Sequence, residues 1–419
     1  MPKGRVRSAT SGRVVPPRMP LGIRSLNWVG RRLRGWGAQV AHLDEAKMVR
    51  AAERKAGWTD WGDQRFRTPL RLLVQSYNED PGLSVLGRFI ARNSLIKRLV
   101  NRLRIRRDVV GRPAILEEAL PRPLFIVGLP RTGTTLLLNL LAQDPAARPL
   151  LFWETMAPSP PPDPATRDQD PRIAEAERLI ERLDRLVPEL RTIHPLHARG
   201  PAECLGLLLN SFLTPFIGGR ATRYREWLRG APPGEVEAAY REYRQQLQVL
   251  HYHRRGGHWV LKCPSHLFGL DALLKVFPDA CIVQTHRDVA TTVASLCSLT
   301  AVMNRLSYEE IDLAEVGRHT VGIVELLVER CLEARRQAGD DSFLDLAYAD
   351  LVRDPVAAVR RIYERFGYAY SDALEQRLRT YLSAQPEQGL HRYRPEDFGL
   401  DPAELQRRLA PYCQRFAIN

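Results

Sequence analysis

One segment of the chain, PLFIVGLPRTGTT at residues 123–135, has the residue types of an anion-binding turn. Its apolar run, bounded by proline and glycine, predicts a buried parallel strand, and the leucine-rich stretch that follows predicts a helix. The backbone N–H groups of Gly133, Thr134 and Thr135 would have no partner within that helix and would lie at the positive end of its dipole. The segment therefore predicts a phosphate site around the strand-to-helix turn at 128–132.

The spacing of the glycines matches the Walker phosphate loop, but Thr134 stands where that motif has lysine. A kinase needs this lysine on the β- and γ-phosphates, and a hydroxyl and a carboxylate on Mg²⁺. The cation of this loop is Arg131, whose planar guanidinium suits a donor with a singly charged sulfonate beside a 5′-phosphate and no metal. A P-loop nucleotide kinase is the competing enzyme class, and Thr134 and the missing metal carboxylate disfavour it.

A second candidate phosphate site lies downstream, within residues 259–299. Arg287 follows a predicted parallel strand, at the edge where open α/β sheets bind ligands, and Ser295 comes two helical turns later. Together they could hold a second phosphate, although an Arg-Asp pair at a helix start is by itself more often a cap. The predicted elements alternate, with strands at 259–262 and 280–285 and helices at 266–276 and from about Asp288.

Taken together, the two segments resemble the PAPS-dependent sulfotransferases, where PAPS is 3′-phosphoadenylyl sulfate. The chain is most similar to the bacterial sulfotransferase family related to the tyrosylprotein sulfotransferases, through its LKCPSHL, FPDA and HRD elements. Further matches are Trp153-Glu154, LAYADLVRDP and HRYRPEDFGLD, so that the resemblance covers about residues 42–417. It implies PAPS as co-substrate, with Arg131, Thr132, Gly133, Thr134 and Thr135 on the 5′-phosphosulfate and Arg287 and Ser295 on the 3′-phosphate.

Sulfonate transfer needs a base that removes the proton of the attacking hydroxyl or amine. The resemblance implies Glu154 for this role, because related branches carry a glutamate at a similar distance after the phosphate loop. A simple ion pair between Glu154 and a neighbouring arginine is the alternative. The resemblance also places Lys262 near the bridging oxygen of the donor, where it would stabilise the leaving group. His266 is a rival base, ranked below Glu154.

Three further histidines, His194, His197 and His391, could line the acceptor side, although the resemblance assigns them no role. The acceptor itself is a small molecule, a lipid or a saccharide that the sequence does not identify. Histidine pairs such as His251 and His253 lack carboxylate or thiolate companions at ligand spacing, so we expect no metal.

The pattern of predicted strands and helices around these residues indicates an α/β fold. Its centre is a P-loop-like parallel β-sheet flanked by helices, and it has helical N-terminal and insertion segments. At 419 residues and 44% hydrophobic, the chain can bury a large core as one domain or two. We expect a single sulfotransferase domain at 42–419 after a basic segment at 1–41. Its predicted parts are a helical layer at 42–118, the 5′-phosphosulfate unit at 123–155, a helical acceptor-side insertion at 172–256, the 3′-phosphate unit at 257–370 and C-terminal helices at 371–419.

Two connecting segments carry their own predictions. Residues 157–171 contain six prolines and predict a mobile loop that acts as a lid over the acceptor. The apolar segment 204–219 is interrupted by polar residues and proline, and predicts a core or acceptor-pocket helix rather than a membrane span.

The charge distribution raises a different class of function. The net charge is +14, and the first 43 residues hold nine Lys or Arg and no Asp or Glu. Apolar and basic residues alternate there as in an amphipathic helix, which predicts peripheral contact with an anionic membrane, or a membrane-surface adaptor with a vestigial nucleotide site. An organellar transit segment or general arginine richness would explain the same composition.

Nucleic acid is not expected as a partner, since the chain has no zinc-finger or aromatic-basic RNA motif. The six cysteines form no Cys-x-x-Cys pair and no signal peptide precedes them, which predicts buried thiols in a reducing cytoplasm. The oligomeric state is not predicted.

Overall fold

The computed structural model of the protein describes residues 13–14, 21–35, 41–253, 257–384 and 394–418. Within these ranges the strands, in chain order, are β1 (Arg13–Val14), β2 (Leu124–Gly128), β3 (Ala147–Pro149), β4 (His258–Lys262), β5 (Cys281–His286), β6 (Ile311–Asp312) and β7 (Phe343–Ala347). Strands β3, β4, β2, β5 and β7, in that order, form one parallel sheet, and β1 pairs antiparallel with β6. The predicted parallel α/β sheet is confirmed.

Helices surround this sheet and account for most of the described residues. They are α1 (Leu21–Gly35), α2 (Glu45–Ala56), α3 (Arg67–Glu79), α4 (Val85–Gly111), α5 (Thr134–Leu141), α6 (Phe152–Met156), α7 (Pro171–Leu186), α8 (Leu190–Ile193), α9 (Leu205–Leu208), α10 (Thr222–Arg229), α11 (Pro233–His251), α12 (Leu270–Val276), α13 (Val289–Asn304), α14 (Leu313–Ala338), α15 (Tyr348–Arg353), α16 (Pro355–Phe366), α17 (Asp372–Ser383), α18 (Pro402–Arg408) and α19 (Ala410–Arg415). Short 3₁₀ helices lie at Pro113–Glu117, Arg167–Gln169, Leu209–Ser211, Pro264–Leu267 and Pro395–Phe398.

Both faces of the sheet are buried, which explains the continuous apolar runs of its strands. Successive side chains of a strand point to opposite faces, so β2 contributes to two cores. Phe125 and Val127 pack with the N-terminal helices and with α11 to α14. Leu124 and Ile126 pack with α5, α16 and α17 on the other face. The central position of β2 places the loop after it between the ends of β4 and β5.

Local capping determines where the helices after the sheet strands begin. Asp288 caps α13, its side chain accepting a hydrogen bond from the N–H of Thr291. Asp354 caps α16 in the same way, with Pro355 at the first helical position. The start of α13 at about Asp288 agrees with the sequence prediction.

The apolar segment 204–219 differs from the helix predicted for it. It forms the single turn α9 and a 3₁₀ turn, and then leaves helical geometry at Phe212, whose φ is 59°. Thr214 and Pro215 follow, and the N–H of Thr214 bonds to the hydroxyl of Tyr224 instead of continuing a helix. Burial of the apolar side chains is therefore achieved by an irregular, packed segment.

Candidate active site

The turn after β2 has the geometry of an anion site. Gly133 has a φ of 89° and precedes α5, so the first N–H groups of that helix face outward. Gly128 has a φ of 144°, and a Cβ there would lie 2.5 Å from Thr285 Oγ1 and 2.7 Å from the Thr285 carbonyl oxygen. Glycine is therefore required at this position both by φ and by the close approach of β5.

The hydroxyl of Thr132 ties this turn to the neighbouring strand. Its Oγ1 lies 2.6 Å from Thr285 Oγ1 on β5 and 2.8 Å from the carbonyl oxygen of Leu129, and the side chain is fully buried. Thr132 therefore holds the loop in shape, whereas Thr135, on the first turn of α5, is exposed. Of the two, Thr135 is the hydroxyl that a ligand can reach.

The two predicted phosphate segments meet in space although they are more than 150 residues apart in the chain. Arg131 Nε donates to Ser295 Oγ at 2.9 Å, and Arg287 Nη1 donates to the carbonyl oxygen of Arg131 at 3.1 Å. Arg131 itself has a φ of 71°, an uncommon conformation for a residue other than glycine. Arg287 also stacks over the ring of Tyr348, 4.2 Å from its centroid. The predicted 5′- and 3′-phosphate residues thus form one continuous basic edge.

Lys262 lies at the end of β4 and reaches the same edge. Its side chain is 1% exposed, and its Nζ donates to Thr135 Oγ1 at 3.2 Å. The same ammonium forms an ion pair with Glu203, a residue that the sequence analysis did not single out. The ammonium therefore lies between the first turn of α5 and a carboxylate.

Backbone contacts explain how Glu203 comes to this place. The N–H of Ala202 donates to the carbonyl oxygen of Leu150 after β3, and the N–H of Cys204 donates to that of Lys262 on β4. Residues 201–204 consequently cross the carboxyl ends of two neighbouring strands. One sequence signal could have identified this residue: Glu203 is the only acidic residue between positions 190 and 225.

Glu154 has a different environment from the one predicted for a base. Arg148 holds it in a bidentate ion pair, with N–O distances of 2.7 and 2.8 Å and side chains 1% and 0% exposed. The carboxylate also accepts the N–H of Leu151 and lies 3.5 Å from Arg167. These contacts match the ion-pair alternative, and the role of Glu154 as base stays a prediction.

His266 is packed in the core behind the sheet edge. Its Nδ1 lies 2.9 Å from the hydroxyl of Tyr240, and its ring contacts Phe125 and Tyr243. Burial lowers the pKa of His266 to about 3, so the ring is neutral at physiological pH. An imidazole with no exposed surface does not meet an acceptor directly, and this setting does not favour His266 as the base.

Of the three histidines that were predicted to line the acceptor side, two lie within the described residues. His194 follows α8, and the charges of Glu203, Lys262 and Arg131 all act on it, while burial lowers its pKa below the ordinary value. His197 is exposed, and His391 lies outside the described residues. Of the two described histidines, His194 is therefore the one beside Lys262, Glu203 and Arg131.

The proline-rich segment 157–171 is held at its beginning and exposed in its middle. Ser159 Oγ lies 2.5 Å from Asp108 Oδ2, and Arg172 Nη1 donates to the carbonyl oxygens of Ala157 and Pro160 at 2.8 Å each. Residues 163–169 are largely exposed. Any movement of this loop is therefore expected within 163–169.

The described residues contain neither a cluster of metal-ligating side chains nor a membrane-spanning helix. No group of three or more His, Cys, Asp or Glu is placed to hold a metal ion there. No helix in those ranges is long and apolar enough to cross a membrane. The six cysteines are all unpaired and buried.

Known proteins share both this sequence and this fold. The Sulfotransferase family model matches residues 123–372, which span both phosphate segments and more than half of the chain. The chain belongs to the sulfotransferase family. Sulfotransferase STF9 from Mycobacterium avium superposes with a TM-score of 0.80 at 31% identity, over 90% of this chain and 97% of that one.

Two further sulfotransferases agree with this assignment. STF1 from Mycobacterium tuberculosis H37Rv superposes with a TM-score of 0.78 at 30% identity, over 89% of this chain and 100% of that one. Omega-hydroxy-beta-dihydromenaquinone-9 sulfotransferase Stf3 from Mycobacterium bovis is 26% identical over 80% of this chain and 87% of its own length. The protein is therefore an enzyme that transfers a sulfonate group. The kinase and adaptor alternatives are set aside.

Proposed function

We propose that this sulfotransferase takes its sulfonate from PAPS and transfers it to a hydroxyl on a lipid-like acceptor. The observation that carries the donor assignment is the meeting of Arg131, Ser295 and Arg287 at the open end of α5. Two arginines and a row of free N–H groups suit a nucleotide with phosphates at both its 3′ and 5′ ends. Thr132 to Thr135 would cradle the 5′-phosphosulfate, and Arg287 and Ser295 the 3′-phosphate.

Lys262 is proposed to stabilise the charge that develops on the leaving phosphate. Its ammonium is desolvated and lies beside Thr135, on the first turn of the helix that would bind the phosphosulfate. A fixed positive charge in a water-poor site contributes more to the transition state than the same charge in water. No metal is part of this proposal.

The lipid-like acceptor is proposed from two observations. The Stf3 relatives are named for an omega-hydroxylated dihydromenaquinone, a hydroxyl on a long apolar molecule. In this chain, α1 exposes Leu26, Trp28 and Val29, which are 44%, 52% and 44% accessible. Arg32 stacks on Trp28 with its Cζ 5.1 Å from the ring centroid. Apolar and cationic groups on one short helix suit the surface of an anionic membrane.

Contacts between α1 and α4 hold this surface against the enzyme. Asn27 Oδ1 accepts the N–H of Leu86 at 3.2 Å, and Asn27 is buried. Phe89 and Ile90, one turn further along α4, are 45% and 38% exposed. The exposed apolar residues are therefore spread over two packed helices. The proposal places the enzyme in the cytoplasm, where unpaired cysteines persist, with this surface on the membrane.

Calorimetric titration against adenosine 3′,5′-bisphosphate, ATP and duplex DNA tests the donor. We expect the bisphosphate to bind, ATP to bind at least tenfold more weakly, and DNA not to bind. Transfer of ³⁵S from labelled PAPS is then compared for polyprenols, phenols and simple sugars. Lys262→Met should keep bisphosphate binding and lose turnover. Wild-type protein that fails to bind the bisphosphate would contradict the proposal.

Sedimentation with lipid vesicles tests the membrane surface. The wild-type protein should sediment with phosphatidylglycerol vesicles and stay in solution with phosphatidylcholine vesicles. The double substitution L26E/W28E should abolish sedimentation, whereas Ser25→Glu, an exposed position on the same helix, should have a small effect. Equal sedimentation of both variants would remove α1 from the membrane contact.

A further inference from the structure

The carboxylate paired with Lys262 is the residue that the proposed function leaves without a role. We propose that Glu203 is the general base that removes the proton of the acceptor hydroxyl. This inference rests on the proposed function, since it concerns the chemical step of the same site.

Position is the first argument for Glu203. A base must lie beside the group that reacts, and Glu203 is in direct contact with Lys262, the proposed leaving-group residue. Lys262 in turn contacts Thr135 on α5. By contrast, the partners of Glu154 in the described part of the chain are Arg148, Arg167 and the N–H of Leu151. Of the two carboxylates, Glu203 is therefore the one connected through Lys262 to the first turn of α5, where the donor is proposed to bind.

Accessibility is the second argument. The side chain of Glu203 is 24% exposed although that of its partner Lys262 is 1% exposed, so Glu203 is the member of the pair that solvent reaches. Glu154 is 0% exposed, and it is already satisfied by two N–H groups of one guanidinium. A proton from an acceptor can reach Glu203 without breaking the packing of the core, and cannot reach Glu154 in the same way.

Charge is the third argument. Burial acts to raise the pKa of Glu203, but the charge and hydrogen bond of the Lys262 ammonium oppose it, and that pKa lies below its ordinary value. The carboxylate is therefore ionised before the donor arrives. When Lys262 turns to the phosphate of the donor, Glu203 loses its closest positive partner. Its affinity for a proton then rises at the moment when a base is required.

The proposed step conserves atoms and electrons. The acceptor O–H bond breaks and its proton moves to a carboxylate oxygen of Glu203. The acceptor oxygen forms a bond to sulfur, and the bond between sulfur and the bridging phosphate oxygen breaks. The electron pair of that bond leaves on the 5′-phosphate of adenosine 3′,5′-bisphosphate, next to the Lys262 ammonium. Glu203 then releases its proton to solvent.

A pair of substitutions at one position separates a base from a residue that only positions Lys262. Glu203→Gln keeps an oxygen that can accept the hydrogen bond of Lys262 but is too weak a base to take a proton. We expect it to lower kcat by roughly 10²- to 10⁴-fold and to change the Kd of adenosine 3′,5′-bisphosphate by less than about threefold. Turnover is measured with labelled PAPS and the best acceptor of the panel, or with water if no panel member reacts.

The matched variants are Glu203→Ala, Glu154→Gln and His194→Gln. Glu203→Gln with turnover within about fivefold of wild type would overturn the inference. If Glu203→Gln is active and Glu203→Ala is not, Glu203 only positions Lys262. If His194→Gln or Glu154→Gln alone is inactive while folded, the base is that residue. In each of these outcomes the wild-type protein still binds the bisphosphate, which distinguishes them from a failure of the proposed function.

Discussion

Replacement of Arg148 by methionine should destabilise the protein strongly, because it leaves the carboxylate of Glu154 buried without its partner. The pair is bidentate and almost completely excluded from solvent. Breaking a buried pair from one side costs about 3 to 5 kcal/mol. Arg148 also donates to the carbonyl oxygen of Pro149 at 2.6 Å and stacks 4.3 Å from the ring centroid of Trp259. The cost should therefore lie in the upper half of that range.

The double substitution R148M/E154Q isolates the contribution of the pair. Glu154→Gln alone removes the negative charge but keeps an oxygen for Arg148 and for the N–H of Leu151, so we expect a loss of about 1.5 to 3 kcal/mol. The double variant has no unpaired charge, and its cost should be smaller than the sum of the single costs by roughly 2 kcal/mol. Urea unfolding followed by tryptophan fluorescence measures all three, since Trp153 adjoins the pair.

An exposed pair of the same composition supplies the control. Glu333 and Arg336 lie on the surface of α14, 48% and 73% exposed, and Glu333→Gln should leave the urea midpoint unchanged. If the free-energy cost of R148M/E154Q equals the sum of the costs of the two single substitutions, the energetic coupling between Arg148 and Glu154 is refuted. A Glu154→Gln protein as stable as wild type, but with kcat reduced by roughly 10²-fold or more, would refute the structural role and restore Glu154 as the base.

The remaining predictions concern the donor site, the buried histidine and the loop. Arg287→Ala should weaken binding of adenosine 3′,5′-bisphosphate by about 1.5 to 3 kcal/mol and binding of AMP much less, measured by calorimetry; equal losses would remove Arg287 from the 3′-phosphate. Gly133→Ala should weaken the same nucleotide, because φ is 89° there and the new Cβ would lie 2.9 Å from the Tyr348 ring; unchanged affinity would contradict the geometry of the turn. His266 has a folded-state pKa of about 3, below its ordinary value near 6.5, so the unfolded chain binds its proton first and stability is lost as pH falls below about 6.5. His266→Gln should remove about 2 kcal/mol of the stability difference between pH 7 and pH 5, measured by urea unfolding at both values, and an identical pH dependence in the variant would oppose this reasoning. Limited proteolysis should cut within residues 163–169 in the ligand-free enzyme and more slowly with adenosine 3′,5′-bisphosphate and an acceptor; equal cleavage at saturation would make the loop a passive connector.

Several features of this fold could be predicted from sequence because their physical causes lie within a few residues of chain. The turn after β2 follows from glycines that adopt positive φ and from orphan N–H groups at a helix start. The beginning of α13 at Asp288 and of α16 at Asp354 follows from side chains that bond to N–H groups three residues later. The parallel arrangement follows from strands that are apolar on both faces.

The partners of the charged residues could not be predicted in this way. Glu154 satisfied the expected spacing from Arg131, yet chain reversal after β3 brings Arg148 to its carboxylate. The apolar segment 204–219 has helical composition, but its packing against Tyr224 replaces helical hydrogen bonds. The local sequence pattern shows which side chains are apolar or charged. It does not show which distant residue each of them contacts in the folded protein.

The sequence by itself predicted the turn after β2 and the start of α13, because the residues that shape each of them are neighbours in the chain. Only the tertiary structure decided which carboxylate pairs with Lys262. Lys262 and Glu203 are separated by 59 positions, and residues 201–204 must cross the ends of β3 and β4 to bring them into contact. The buried ammonium of Lys262 requires a negatively charged partner. Any acidic residue that the fold places beside it could fill this role. That choice depends on the path of the whole chain and not on the residues beside Lys262.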